Sequence, residues 1–197
     1  MMLKINSHIA ILPYEPNGTD CGDIGVIVET HEECFLALVD IVGKGAEAAQ
    51  LASVAEEYLQ HNCFLDLVTL MKGLHLCLKG TRGAVAALCR INLASGTLRY
   101  VGIGNITVRI WSTQNYCFIP KDGIIGYQMP TPQEKTMNLT AGDILIMHSD
   151  GVKEHIDFFQ GQKLLAGRAK NMAANMITHF GKKNDDASCI VTRCSYG

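Results

Sequence analysis

Apolar positions along this chain switch, in blocks, between the two-residue period of strands and the longer period of helices. Residues 3–12 and 24–30 read as strands, separated by the turn-rich PNGTDCGD. Phe35–Val39 is a short continuous apolar run, as expected of a strand covered on both faces. It ends at Asp40, and Gly43-Lys44-Gly45 follows. The segment AEAAQLASVAEEYL then combines Ala-rich propensity with apolar residues at helical spacing. Residues 64–79 predict a second helix, weakened at Gly73 but apolar at Leu67, Leu70, Met71, Leu74 and Leu78. From residue 83 the period returns to two. Ala84–Asn92, Thr97–Ile103, Thr107–Ser112 and Tyr116–Ile119 read as strands joined by short turns. Residues 120–135 carry three of the five prolines and read as a loop. Strands return at Lys135–Leu139 and Asp143–Ser149, a helical pattern covers 158–180, and Ala187–Cys194 closes the series. Strand runs with helices inserted as blocks predict an α+β fold, antiparallel sheet with helices on its outer faces.

A length of 197 residues fits one domain, 1–197. With 48% hydrophobic and 18% charged residues, the chain is neither disordered nor membrane-like in composition. Seventeen Lys+Arg against 19 Asp+Glu give a net charge of −2, and the longest basic run is Lys182–Lys183, which argues against a nucleic-acid partner. The eight cysteines contain no C-x2-C pair and no Cys/His knuckle. Cys34, Cys77 and Cys89 sit in apolar runs, where a free thiol acts as a small hydrophobe and a reducing compartment is implied. The amino terminus lacks the apolar stretch of a signal peptide, and no segment approaches a membrane span of about 20 residues. The expectation is a cytoplasmic protein with no membrane partner.

Charge matters here through its placement. Asp40 ends the apolar run FLALV, Asp150 ends ILIMHS, Asp185 and Asp186 precede ASCIVTRC, and Asp23 stands at the mouth of another strand. Carboxylates at apolar strand tips are costly unless they face solvent or meet a cation. Gathered together they would form an oxygen-only site, suited to Mg²⁺ or Mn²⁺ rather than zinc. Taken one at a time, each is equally an ordinary turn residue, because Asp before Gly is a common turn element. Other chemistries lack support. There is no Cys-x5-Arg loop, Ser149 lacks a nucleophile elbow, and Gly43-Lys44-Gly45 has neither the spacing nor the hydroxyl of a P-loop. Gly102-x-Gly104 is a turn between strands. His148 reads as a core histidine, His61, His75 and His179 as helix-surface or boundary residues, Trp111 as a packing residue, and Lys44 as a solvated turn charge.

The ordered series CGD (21–23), LVDIVGKGAEAA (38–49), RGAVAALCRIN (82–92), LRYVGIGNITVRI (98–110), GDILIMHSDGV (142–152) and NDDAS (184–188) resembles the PP2C-type metal-dependent serine/threonine phosphatases. Within them it is most similar to the short bacterial SpoIIE-like branch that serves stressosome signalling. The resemblance implies an αββα sandwich, two antiparallel sheets flanked by helix pairs, with two Mn²⁺ or Mg²⁺ ions at one end. By motif, Asp40 would bridge the ions, Ile41 would offer a backbone carbonyl, and Asp150 would serve the second ion. Asp185 matches the ligand in D-D-x-[ST], with Asp186 as its substitute, and Asp23 would contact a metal-held water. Activated water then needs no protein nucleophile. The implied substrates are phosphorylated stressosome proteins with STAS domains. The chain departs from the larger enzymes in having Ile at 41 and no arginine before Arg82. Lys44 and the amino terminus of the 45–60 helix are the candidates to hold phosphate instead. The rival reading is a pseudophosphatase, a binding module that keeps the fold without the catalysis.

Overall fold

The structure is a computed structural model and describes residues 2–14, 20–153 and 167–196. The strands are β1 (Leu3–Leu12), β2 (Asp23–Glu29), β3 (Glu33–Ile41), β4 (Ala84–Asn92), β5 (Thr97–Ile103), β6 (Thr107–Trp111), β7 (Tyr116–Phe118), β8 (Lys135–Asn138), β9 (Ile144–His148) and β10 (Ala187–Tyr196). The helices are α1 (Ala46–Asn62), α2 (Leu67–Cys77) and α3 (Ala169–Phe180). One sheet has the order β1-β10-β9-β6-β7 and the other β2-β3-β4-β5-β8, with neighbouring strands antiparallel.

Period-two alternation explains how the layers stack. On β3, Leu36 and Leu38 face the other sheet and pack with Leu145, Met147 and Ile190, while Phe35, Ala37 and Val39 face α1 and α2. Each face of this strand is therefore apolar, and the run reads as continuous. Helix α1 buries Ala48, Ala52, Ala55 and Leu59, and α2 buries Leu67, Leu70, Met71 and Leu74, the stripe predicted from spacing. Asp66 caps α2 by accepting from the Thr69 amide at 2.9 Å. On the far side, α3 lays Met172, Ala173, Met176 and Phe180 on Ile146, Cys189 and Val191.

The structure moves several boundaries. β3 does not stop before Asp40. The ladder continues through Asp40 and Ile41, because Asp40 pairs with Asp23 on one side and Val85 on the other. Backbone pairing is indifferent to side-chain polarity, so the end of an apolar run is not the end of a strand. In the 158–180 pattern only Ala169–Phe180 is helix; Gly167 and Arg168 precede it with non-helical backbone, and 158–166 lie outside the described residues. Cys77 is exposed, because it lies off the buried stripe of α2, whereas Cys34 and Cys89 are buried as expected.

Candidate metal centre

The alternation that sends Leu36 and Leu38 between the sheets sends Asp40 there as well. Asp23 is its direct partner across the β2–β3 ladder, so two carboxylates share one face at the open end of the sandwich. Like charges placed directly opposite repel. Asp23 is 2% exposed, and its Oδ2 has no hydrogen-bond partner among the described residues. Burial first, then repulsion from Asp186 and Asp150, pushes its carboxyl up to about 6, against the opposing effect of the Ser188 and Ser149 hydroxyls. Asp40 is pushed up to about 8, again chiefly by burial and then by Asp23, Asp150, Asp185 and Asp186.

The second sheet supplies the rest. Ser149, just past β9, donates its amide to the Ser188 carbonyl at 3.1 Å, and its Oγ accepts from the Ser188 amide at 3.1 Å. This reciprocal pair fixes the SDG turn against the start of β10. Gly151 lies so close that a Cβ there would stand 1.7 Å from the Asp186 carbonyl oxygen. The glycine of SDG is thus the space in which the DDAS segment passes, and it brings Asp150 beside Asp185. These two, with Asp40, Ile41, Lys44 and Asn105, line a cleft of about 290 Å³.

The neighbouring acids Asp185 and Asp186 have separate tasks. Asp186 is buried, and its two carboxylate oxygens accept the Tyr14 amide at 2.7 Å and the Gly22 amide at 2.9 Å. It clamps the segment leading into Asp23. Asp185 faces the cleft and pairs with Lys44 at 2.7 Å. Lys44 also lies 4.4 Å from the Tyr14 ring centroid, so the solvent-exposed turn charge expected from sequence also has partners at the cleft. Its ammonium is held in the charged form mainly by the Asp185 hydrogen bond.

Two residues that the sequence did not single out join the site. Asn105 donates to Asp150 Oδ2 at 2.9 Å; its only signal was the GIGN turn. Arg82 ion-pairs with Glu47 and packs on Gly43 so closely that a Cβ there would stand 2.2 Å from Nη1. Gly43 has φ of +99°, which also favours glycine. His148 is fully buried, with Nδ1 2.9 Å from the Ser149 carbonyl oxygen, and His75 accepts the Gly126 amide at 2.9 Å.

A hard divalent cation fits this donor set. The candidate donors are oxygen only, Asp23 Oδ2 is buried and has no hydrogen-bond partner among the described residues, and a cation would relieve the mutual repulsion. The chemistry of the donors, carboxylates without thiolate or imidazole among the described residues of the cleft lining, suits Mg²⁺ or Mn²⁺, which take one or two carboxylates and keep several waters.

Comparison with known proteins agrees with this geometry. Residues 30–195 match the family described as Stage II sporulation protein E (SpoIIE). The chain is 28% identical to the phosphoserine phosphatase RsbX of Bacillus subtilis (strain 168), over 99% of this chain and 100% of that one. It superposes with a TM-score of 0.88 and 30% identity on a chain from a study of the bacterial stressosome, covering 96% of this chain and all of the other. A crystal structure of RsbX in complex with magnesium superposes with a TM-score of 0.84 at 20% identity, covering 97% and 96% of the two chains.

Proposed function

The chain belongs to the SpoIIE family of PP2C-type phosphatase domains, and from that premise we propose that it hydrolyses phosphoserine or phosphothreonine on a signalling protein, using two Mn²⁺ or Mg²⁺ ions held at the acidic end of the sandwich. The observation that carries this reading is the meeting of Asp40 from one sheet with Asp150 and Asp185 from the other in one cleft. Asp40, the Ile41 carbonyl, Asp150 and Asp185 would hold the ions. Bound divalent cations lower the pKa of water and neutralise phosphoryl oxygens.

The chain's own groups do the rest. Asn105 fixes the rotamer of Asp150, and Lys44 does the same for Asp185. Buried Asp23, behind Asp40, is placed to accept a hydrogen bond from an ordered water. Gly43 and Lys44, leading into α1, form the cationic rim where an anion enters, with Arg82 beside them. In this reading the attacking group would be a water activated by the bound cations, so no side chain of the cleft needs to act as nucleophile. The similarity to RsbX and to a stressosome chain supports phosphorylated STAS-domain proteins of a stressosome as substrates, and a cytoplasmic location with them.

The test is phosphate release from a phosphorylated STAS-domain protein, with and without Mn²⁺, by wild type and Asp40→Asn. The variant should lose at least about a hundredfold in rate. Equal turnover by the two would remove the metal assignment. No Mn²⁺-dependent turnover of any phosphoprotein would favour a binding module.

A further inference from the structure

A second concavity lies beside the cleft, in the 120–135 loop. It measures about 590 Å³ and is walled by Ile124, Tyr127, Met129 and Pro130, with Asp122 and Gln128 among them. Tyr127 is 76% exposed. The loop is nonetheless firmly built. Ile125 is buried and exchanges two backbone hydrogen bonds with Ala84, at 3.0 and 2.8 Å. Gly126 donates to His75 of α2, and the Ile124 amide donates to the Gln128 carbonyl at 2.9 Å.

The attachment points place this groove. Ala84 precedes Val85, which lines the cleft, and the Gly104 amide donates to the Lys121 carbonyl at 2.8 Å. Gly104 adjoins Asn105 of the cleft, and Lys121 adjoins Asp122 of the groove. Two Cα steps and one hydrogen-bonded pair separate the two, at most roughly 13 Å, the reach of about four residues of extended chain. A peptide whose phosphoryl group enters the cleft must cross the surface that adjoins it. On one side that surface is the Lys44–Asp185 ion pair; on this side it is a firmly attached, largely apolar concavity next to the site.

We infer that the 122–130 groove seats an apolar side chain of the phosphoprotein substrate, within about four residues of the phosphoserine. The inference rests on the phosphatase reading above and adds what that reading lacks, a contact that distinguishes one phosphoserine from another. Charge cannot do this at the acidic end, where every substrate brings the same phosphate. Because the groove is pre-formed, an apolar side chain entering it loses little to loop ordering.

The experiment compares wild type, Tyr127→Ala and Tyr127→Phe, with Mn²⁺, on three probes. One is p-nitrophenyl phosphate. The others are phosphoserine peptides of equal length, with either leucine or asparagine at the flanking positions. Wild type should favour the leucine peptide in kcat/KM by about tenfold, the scale of an apolar pocket contact. Tyr127→Ala should bring that ratio close to one while p-nitrophenyl phosphate turnover is unchanged, and Tyr127→Phe should keep the preference. Normal turnover of the small ester with no leucine preference, or a preference that Tyr127→Ala does not move, overturns the groove assignment and leaves the phosphatase reading standing. A self-association that Tyr127→Ala abolishes, with the peptide ratio unmoved, assigns the groove to a second copy and likewise overturns it. Absence of turnover on all three probes overturns both.

Discussion

Leu36 and Leu38 precede Asp40 on the same face of β3, and within those few residues the space between the sheets changes character. In the middle, Leu36, Leu38, Leu145, Met147 and Ile190 are completely buried against one another. At the end, the same strands deliver Asp23, Asp40, Asp150 and Asp185 into mutual repulsion. The middle stabilises the protein by removing apolar surface from water, roughly 1.5–3 kcal/mol for each large side chain. The acidic end opposes folding until a cation arrives. The difference teaches that the site is held together by its surroundings: the core forces the carboxylates into proximity that they would not adopt by themselves.

The comparison is broken most directly from the core side. Leu38→Ala should cost about 2–5 kcal/mol of stability, read from denaturant unfolding, with kcat per folded molecule unchanged. A loss of kcat without a loss of stability would mean that the middle and the end are not separable. Asp186→Ala comes next. It strands the Tyr14 and Gly22 amides and should cost about 1–3 kcal/mol, together with weaker Mn²⁺ binding through the displaced Asp23. Asp185→Asn should weaken Mn²⁺ binding with little change in stability, so the two adjacent acids should part company in one titration calorimetry and melting series.

The pH dependence follows from the raised carboxyls. Asp40 and Asp23 lie at about 8 and about 6, above the ordinary 3.8. Between those limits the metal-free folded protein binds more protons than the unfolded chain. Their stabilising contribution is therefore complete below about pH 4 and is lost as pH rises through 6 and 8. Divalent metal competes with those protons, so the Mn²⁺-induced rise in Tm over EDTA should be larger at pH 8 than at pH 6. Here roughly 2–4 °C corresponds to 1 kcal/mol, and Asp40→Asn should flatten the difference. An equal rise at both pH values would detach the metal from these carboxyls. Smallest of all, Lys44→Met should change metal-free stability by less than about 1 kcal/mol, because its pair with Asp185 is largely exposed.

Much of this was legible in the residues themselves. The apolar faces of α2 and β3 follow from spacing alone, because burial on a helix or strand is periodic. The carboxylates at the strand tips were visible as a costly pattern, and the order of the motifs gave them roles. What sequence could not supply were contacts between distant positions. Nothing local in GIGN says that Asn105 will hold Asp150. Nothing in NDDAS says that one acid will take backbone amides from Tyr14 and Gly22 while its neighbour faces the cleft. Lys44 read only as a turn charge because its partners, Asp185 and the Tyr14 ring, lie far away along the chain. Arg82 gave no hint that it would fill the space above Gly43.

The pairing of β1 with β10, in register from Leu3↔Tyr196 to Leu12↔Ala187, has a temporal consequence. The sheet containing β10 joins β1 to a strand that follows all the others along the chain, whereas the β2-β3-β4-β5-β8 sheet draws its strands from the earlier residues 23–138. Such distant pairing is slow to close. Asp23 and Asp40, paired across the β2–β3 ladder, both precede Asp185 in the chain, so their juxtaposition does not require it. Docking of β10, which follows Asp185 and Asp186 in the chain, is then the step that brings the two halves of the site together.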